Sequence, residues 1–372
     1  VAPRLRPHRL EQREVCSAVV SAGRWAPAWS AAPVRSAWRA HGPRRCRSRA
    51  PCASRCFPRP CSCTASTLPR RPGEAASRHA LRAPCSCHAL HTSGVLAELA
   101  SRGYPAMALD LRGHGESPFG PPDDFGAETL ARDVWDAVAA HGVRGPVVLV
   151  GHSMGGRVAM RAATLSEASR TERHHGAPAY LAAVVIEDMD LRVRQTAEEL
   201  SLAPTDAAGR EALAGFSRDE GRRFPTFAAA KQALVAFYPG EDKRVDSWEG
   251  KRVRPTAAGG WWSDINPAAQ HLARERVLAT SDGAEAWDAL ANTARAFPVH
   301  VWVADEPGTV CAWEGEGGIH DMQERLPGCA VRKFDGAAHS IHNTAQPEFM
   351  SALLAVIAAA AKAAAATTTD SA

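Results

Sequence analysis

The sequence predicts an α/β fold: a mostly parallel sheet with helices on both faces, and a helical cap inserted between two strands. Three observations carry this. From about residue 85 onward, short apolar runs rich in β-branched residues alternate with amphipathic helical stretches. One run, Val147 to Val150, turns through Gly151-His152-Ser153-Met154-Gly155 straight into a helical pattern that starts at Arg157. The rhythm is broken once, between about residues 191 and 285, by a helix-like stretch holding Phe227, Phe237, Tyr238, Trp248, Trp261 and Trp262.

The 372 residues carry a net charge of +4, unevenly spread. Residues 1–92 hold seventeen Arg against Glu11, Glu14 and Glu74, so this part carries +14 and the remainder −10. Residues 1–84 are rich in Arg, Ser and Cys and have no sustained period. They are expected to be disordered, because they offer too little apolar area to offset the entropy of ordering. Such composition resembles organelle transit segments, which suggests a chloroplast or mitochondrial destination. The chain opens on Val1, so the natural amino terminus is expected elsewhere. A misread upstream segment is a second reading, and a basic nucleic-acid-binding arm a third. The arm is disfavoured because residues 1–80 contain no Lys, and no nucleic-acid partner is expected. Eight of the ten Cys lie before residue 88 without any Cys-x-x-Cys pair, so a zinc or disulfide framework is disfavoured too.

The folded body, residues 85–362, reads in order as follows. Ser86 to Leu90 is a short strand and His91 to Gly94 a loop. Val95 to Ala100 is a helix stopped by Gly103, and Pro105 to Leu109 a strand. Asp110 to Ser117 is a loop at its carboxyl end. Glu128 to His141 is amphipathic, with Leu130, Val134, Trp135 and Val138 on one side. The central strand and its turn follow, then a helix to about Ala168. Ser169 to Ala177 is a polar insertion, and Leu181 to Ile186 a buried strand ending at Glu187-Asp188-Met189-Asp190. After the cap come a helix at Trp287 to Ala296, a strand at Pro298 to Val303, a helix end at Met322 to Leu326, and the last strand at Ala330 to Phe334. No apolar run approaches the roughly 18 residues that span a bilayer, and no stable membrane insertion is expected. The Ala-rich stretch from Phe349 is expected to be a packed helix that frays, with residues 363–372 a disordered tail.

The turn at Ser153 carries the chemistry. A strand that becomes a helix within a few residues holds its central side chain out at the strand's carboxyl end, and a Cβ at Gly151 or Gly155 would collide with the adjoining backbone. Ser153 is the expected nucleophile, and the N–H of Met154 the expected oxyanion donor. A serine hydroxyl needs a base, normally a His oriented by a carboxylate. In open α/β sheets such groups gather beyond the carboxyl ends of the strands. There His339 is the preferred base, with His342 second and expected to face elsewhere. His152 is expected to pack in the turn. Asp188 is the preferred acid, with Asp305 and Glu306 as alternatives. Glu187 and Asp190 are read as solvated neighbours or part of the cap hinge. The second oxyanion donor is expected from the loop His91 to Gly94. Arg112-Gly113-His114-Gly115 reads as a tight structural loop. Trp261, Trp262, Phe224, Phe227 and Phe237 either line an acyl pocket or hold the cap together.

Together, Asp110-Leu111-Arg112-Gly113-His114-Gly115-Glu116-Ser117, Gly151-His152-Ser153-Met154-Gly155-Gly156 and Ala338-His339-Ser340-Ile341-His342 resemble the α/β-hydrolase fold superfamily. Within it they are most similar to YbfF-like esterases and thioesterases and their abhydrolase-domain relatives. The resemblance covers about residues 88–360. It implies a triad acid in a segment like Val185-Ile186-Glu187-Asp188-Met189, and so supports Asp188. The chain departs from the family pattern at His91, which Thr92 follows rather than Gly, and in lacking a recognisable leading hairpin. The expected function is a serine hydrolase of carboxylic esters or thioesters with small to medium acyl groups, acting without cofactor or metal. The alternative is a catalytically impaired receptor or scaffold on the same fold.

Overall fold

The computed structural model describes residues 16–21, 94–168, 179–194 and 207–369, apart from positions 239, 294 and 308. Expectations for Ser86 to Leu90, for His91 to Ser93, for the insertion at Ser169 to Ala177 and for most of residues 1–84 lie outside the described residues.

Strand β1 is Cys16–Ser21, followed by α1, Val95–Ser101, and β2, Ala106–Asp110. Helix α2, Ala127–Ala140, leads to β3, Pro146–His152, α3, Met154–Ala168, and β4, Tyr180–Glu187. After the cap come α8, Asp282–Asn292, β8, Val299–Ala304, α9, Ile319–Arg325, and β9, Ala330–Phe334. The order across the main sheet is β2-β1-β3-β4-β8-β9. From β3 to β9 all neighbours are parallel, while β1 runs antiparallel to both β2 and β3. The predicted fold class therefore stands, with one correction. Cys16–Ser21 belongs to the sheet, so the boundary expected at residue 85 does not separate the fold from what precedes it. Backbone pairing explains the strand's place: Cys16 sits opposite Asp110 on one side and His152 on the other, where β2 and β3 would otherwise leave donors and acceptors open.

The two-residue period of the strands sorts the core into two layers. Val147 and Leu149 of β3, Val184 and Ile186 of β4, and Val299, Val301 and Val303 of β8 face one layer, filled by Leu130, Val134, Val158, Trp287 and Leu290. Val148, Val150, Ala183, Val185 and Trp302 face the other, filled by α1 and by the terminal helix through Phe349, Leu353 and Ile357. Strands buried on both faces read as continuous apolar runs, which is why they were legible in the sequence.

The last two helices are α10, Ile341–Thr344, and α11, Gln346–Thr369. The helix thus extends through most of the segment expected as a tail. Between Gln346 and Ala366 its mean hydropathy of 1.9 and its length satisfy the requirement for crossing a bilayer, contrary to the sequence reading. Here its apolar side is spent on the sheet.

The cap contains α4, Ala207–Phe216, a 3₁₀ turn Asp219–Arg222, α5, Phe227–Val235, α6, Asp242–Asp246, and α7, Pro267–Ala273. It also holds a three-stranded antiparallel sheet that the sequence reading missed: β5, Arg223–Phe224, β6, Val253–Pro255, and β7, Trp261–Ser263, with β7 in the middle. Strands of two and three residues are too short to show a period. Phe237 is buried in the cap's own core with Phe216 and Leu234, and Phe224, Phe227 and Trp261 pack against it. Trp262 lies under the Arg222 guanidinium at 4.3 Å and donates from Nε1 to the Gly115 carbonyl at 3.3 Å. These aromatics hold the cap together and tie it to the loop after β2.

Candidate active site

Two residues other than glycine have positive φ among the described residues: Ser153 at 54° and Asp188 at 45°. Each such conformation costs on the order of 1–3 kcal/mol, so the surroundings must hold it. For Ser153 the hold is a donated bond from its N–H to the Glu187 carbonyl at 2.9 Å and an accepted one from the Gly156 N–H at 2.8 Å. For Asp188 it is the Trp302 carbonyl, which takes its N–H at 2.8 Å. The tightness of the first turn is visible at Gly151, where a Cβ would stand 2.2 Å from the Gly155 carbonyl oxygen.

These two strained residues meet one imidazole. His339 Nε2 lies 3.0 Å from Ser153 Oγ, and its Nδ1 lies 2.6 Å from Asp188 Oδ2. A carboxylate only accepts, so Nδ1 carries the proton and Nε2 presents its lone pair to the hydroxyl. Asp188 is fully buried and takes two further backbone donors, Ala304 N–H at 3.2 Å and Val310 N–H at 3.3 Å. His339 is buried and Ser153 half-buried. Cys311 is half-buried too. Desolvation of its sulfur and the carboxylates of Asp188 and Asp190 push the thiol well above its ordinary value, so it stays protonated as a weak donor toward Asp188.

The alternative acids are elsewhere. Asp305 pairs with Lys333 at 3.0 Å, and both Asp305 and Glu306 are exposed and give their N–H groups to the Ala337 carbonyl. Met154 opens α3, and among the described residues no acceptor takes its N–H. The loop expected to supply a second oxyanion donor is described only at Gly94, the residue before α1. Arg112 clamps Asp133 with two bonds of 2.9 Å, and the His114 Nδ1 lies 2.9 Å from the Arg112 carbonyl, as a structural loop requires.

Glu187 and Asp190 are not solvated, because both are wholly buried, and Asp190 takes the hinge role that was the other expectation. Asp190 accepts from Arg192 Nε at 2.7 Å, Arg194 Nη2 at 2.9 Å and the Ala312 N–H at 3.0 Å, which ties down the first residues of the cap connection. Glu187 accepts from His342 twice at Oε1, from the ring Nδ1 at 2.8 Å and from the backbone N–H at 3.0 Å. Burial alone would raise its carboxyl, but the neighbouring His342 and His152 and the bonds from His342 bring it down to about 2. His152 packs in the turn as expected and bonds through Nε2 to the His339 carbonyl at 3.0 Å. Burial, against the opposing charge of Glu187, holds it down to about 3, so it is neutral. A strand-end Glu beside Asp188, and a His three residues after His339, were the signals available for this pair.

His152, Glu187 and His342 offer donor atoms within 4.8 Å of one another, the one such group among the described residues. They fit a metal poorly. His342 Nδ1 and both Glu187 oxygens are spent on each other, and His152 Nε2 carries a proton toward a carbonyl.

The profile of the alpha/beta hydrolase family matches residues 79–353. Human protein phosphatase methylesterase 1 is 41% identical over 78 residues, 20% of this chain and 19% of that protein. N-formylmaleamate deformylase of Pseudomonas putida is 32% identical over 133 residues, 36% of this chain and 46% of that protein. The chain thus spans less than half the length of these curated relatives. Among solved structures, E-2-(acetamidomethylene)succinate hydrolase superposes over 72% of this chain and 86% of its own, at 19% identity and a TM-score of 0.47. With three quarters of its length matched by the family profile, the chain belongs to the alpha/beta hydrolase family.

Proposed function

We propose that the protein is a serine hydrolase that cleaves carboxylic ester or thioester bonds of small to medium acyl substrates. The observation that carries this is the line Ser153 Oγ, His339, Asp188, at 3.0 Å and 2.6 Å, with the nucleophile on a strained turn and partly open. Names among its relatives, a methylesterase and a deformylase, support acyl chemistry.

In this reading Ser153 Oγ attacks the substrate carbonyl carbon as His339 Nε2 takes its proton. The carbonyl π bond opens to an oxyanion that accepts from the Met154 N–H. Asp188 stabilises the imidazolium and keeps its Nδ1 proton in place. The oxyanion collapses, the bond to the alcohol or thiol breaks, and the leaving group takes the proton from Nε2. Water then attacks the acyl-Ser153, giving its proton to His339, and the acid leaves as Ser153 regains its own.

The test is labelling by a fluorophosphonate probe together with turnover of p-nitrophenyl esters and acyl thioesters. The wild-type chain is expected to label stoichiometrically at Ser153, and Ser153→Ala to lose labelling and at least about three orders of magnitude in kcat. Folded wild-type protein that neither labels nor turns over any of these substrates would overturn the reading.

A further inference from the structure

The catalytic-type line leaves unexplained what holds the loop that delivers His339. That loop, Asp335 to Ser340, lies between β9 and α10 and contains Gly336, Ala337 and Ala338, of which Ala337 is buried in the core. Asp305 and Glu306 hold its first half by donating their N–H groups to the Ala337 carbonyl, and Glu187 and His152 hold the half that carries His339. Glu187 fixes the loop through its carboxylate, which takes both the ring N–H and the backbone N–H of His342, three residues after His339. The same residue fixes Ser153 through its carbonyl at 2.9 Å, and its own peptide bond leads into Asp188. His152 closes the arrangement: Nε2 holds the His339 carbonyl at 3.0 Å, and its ring lies 4.6 Å from that of His339 and 5.1 Å from that of His342.

We propose that Glu187 and His342, assisted by His152, are positioning residues that set the distance between His339 and Ser153. The inference rests on the serine-hydrolase reading but goes beyond it, because it assigns a role to a buried carboxylate–imidazole pair outside the triad. The placement argues against mere packing. Both side chains are fully buried, where apolar residues of like volume would hold the core at lower desolvation cost. What the pair adds is direction. Two donors on one residue converge on one carboxylate oxygen, which fixes α10 in orientation as well as distance.

The experiment uses the full chain and compares Glu187→Gln with wild type by two readouts. One is kcat and KM for a p-nitrophenyl ester, per folded molecule. The other is the low-field NMR resonance of the His339 Nδ1 proton, which reports the bond to Asp188 whether or not the protein turns over. Glu187→Gln is expected to lower kcat ten- to a hundred-fold with KM within two-fold, and to shift or broaden that resonance. His342→Leu is expected to do the same. His342→Asn, whose amide N–H reaches Glu187 from the place of Nδ1, recovers most of what His342→Leu loses. If Glu187→Gln does not fold, the two His342 variants decide. Folded Glu187→Gln or His342→Leu protein with unchanged kcat and an unchanged resonance overturns the proposal. A wild type that shows the resonance but no turnover overturns the enzyme reading alone, and the comparison of resonances still decides on positioning. A wild type with neither turnover nor the resonance overturns both, and for one that turns over without the resonance unchanged kcat in the folded variants overturns the positioning proposal.

Discussion

Asp188 is held at φ 45° so that a single carboxylate can face His339 with one oxygen and collect backbone donors from Ala304 and Val310. Asp188→Asn keeps the shape but presents an amide that can donate to Nδ1, favouring the wrong tautomer. The expected result is a fall of about four orders of magnitude in kcat with little change in KM, measured by steady-state ester hydrolysis. At this scale the site was readable from the sequence because Ser153 and Asp188 each follow a strand directly and His339 lies in the loop after the last strand. Glu187 was not readable. A carboxylate at a strand end is usually solvated, and only the return of α10, 155 positions later, supplies the partner that lets it be buried.

At the scale of elements, the turn between β3 and α3 depends on the absence of a side chain at Gly151. A Cβ there meets the Gly155 carbonyl at 2.2 Å and the Ala159 Cβ at 2.8 Å, and backbone cannot swing aside. Gly151→Ala is expected to cost about 3 kcal/mol, read as a lower urea midpoint at unchanged slope. Strands β3, β4 and β8 were legible because burial on both faces leaves a run of Val, Leu and Ile. β1 was not legible, because Cys-Ser-Ala-Val-Val-Ser sits in an Arg-rich context and its pairing is decided by the two strands beside it. The cap's small sheet escaped for a related reason, since its order comes from long-range pairing and from Trp262 stacked on Arg222.

For the whole molecule, acid should act through buried imidazoles. Burial holds His152 down to about 3 and His114 down to about 4, whereas both take their ordinary 6.5 when unfolded. The unfolded chain therefore binds more protons below pH 6.5. The stability these groups contribute is complete above that value and is lost as the pH falls. At pH 5 each costs about 2 kcal/mol, so denaturant unfolding at pH 7 and pH 5 should differ by about 4 kcal/mol. Glu187, brought down to about 2 from an ordinary 4.5, adds a further loss only below about pH 4.5. Against a typical total of about 5–15 kcal/mol this is enough to matter.

The hydroxyl of Ser153 and the ring of His339 are 186 positions apart in the chain. A ribosome making this protein therefore completes the turn at Ser153 long before His339 exists. Even once residue 339 has been added, its loop waits for His342 to reach Glu187 and for α11 to clear the exit tunnel and seat Phe349, Leu353 and Ile357 beneath the sheet. In the proposed reading a chain that ends before α11 carries its serine unarmed, and hydrolysis begins only after synthesis has passed α11.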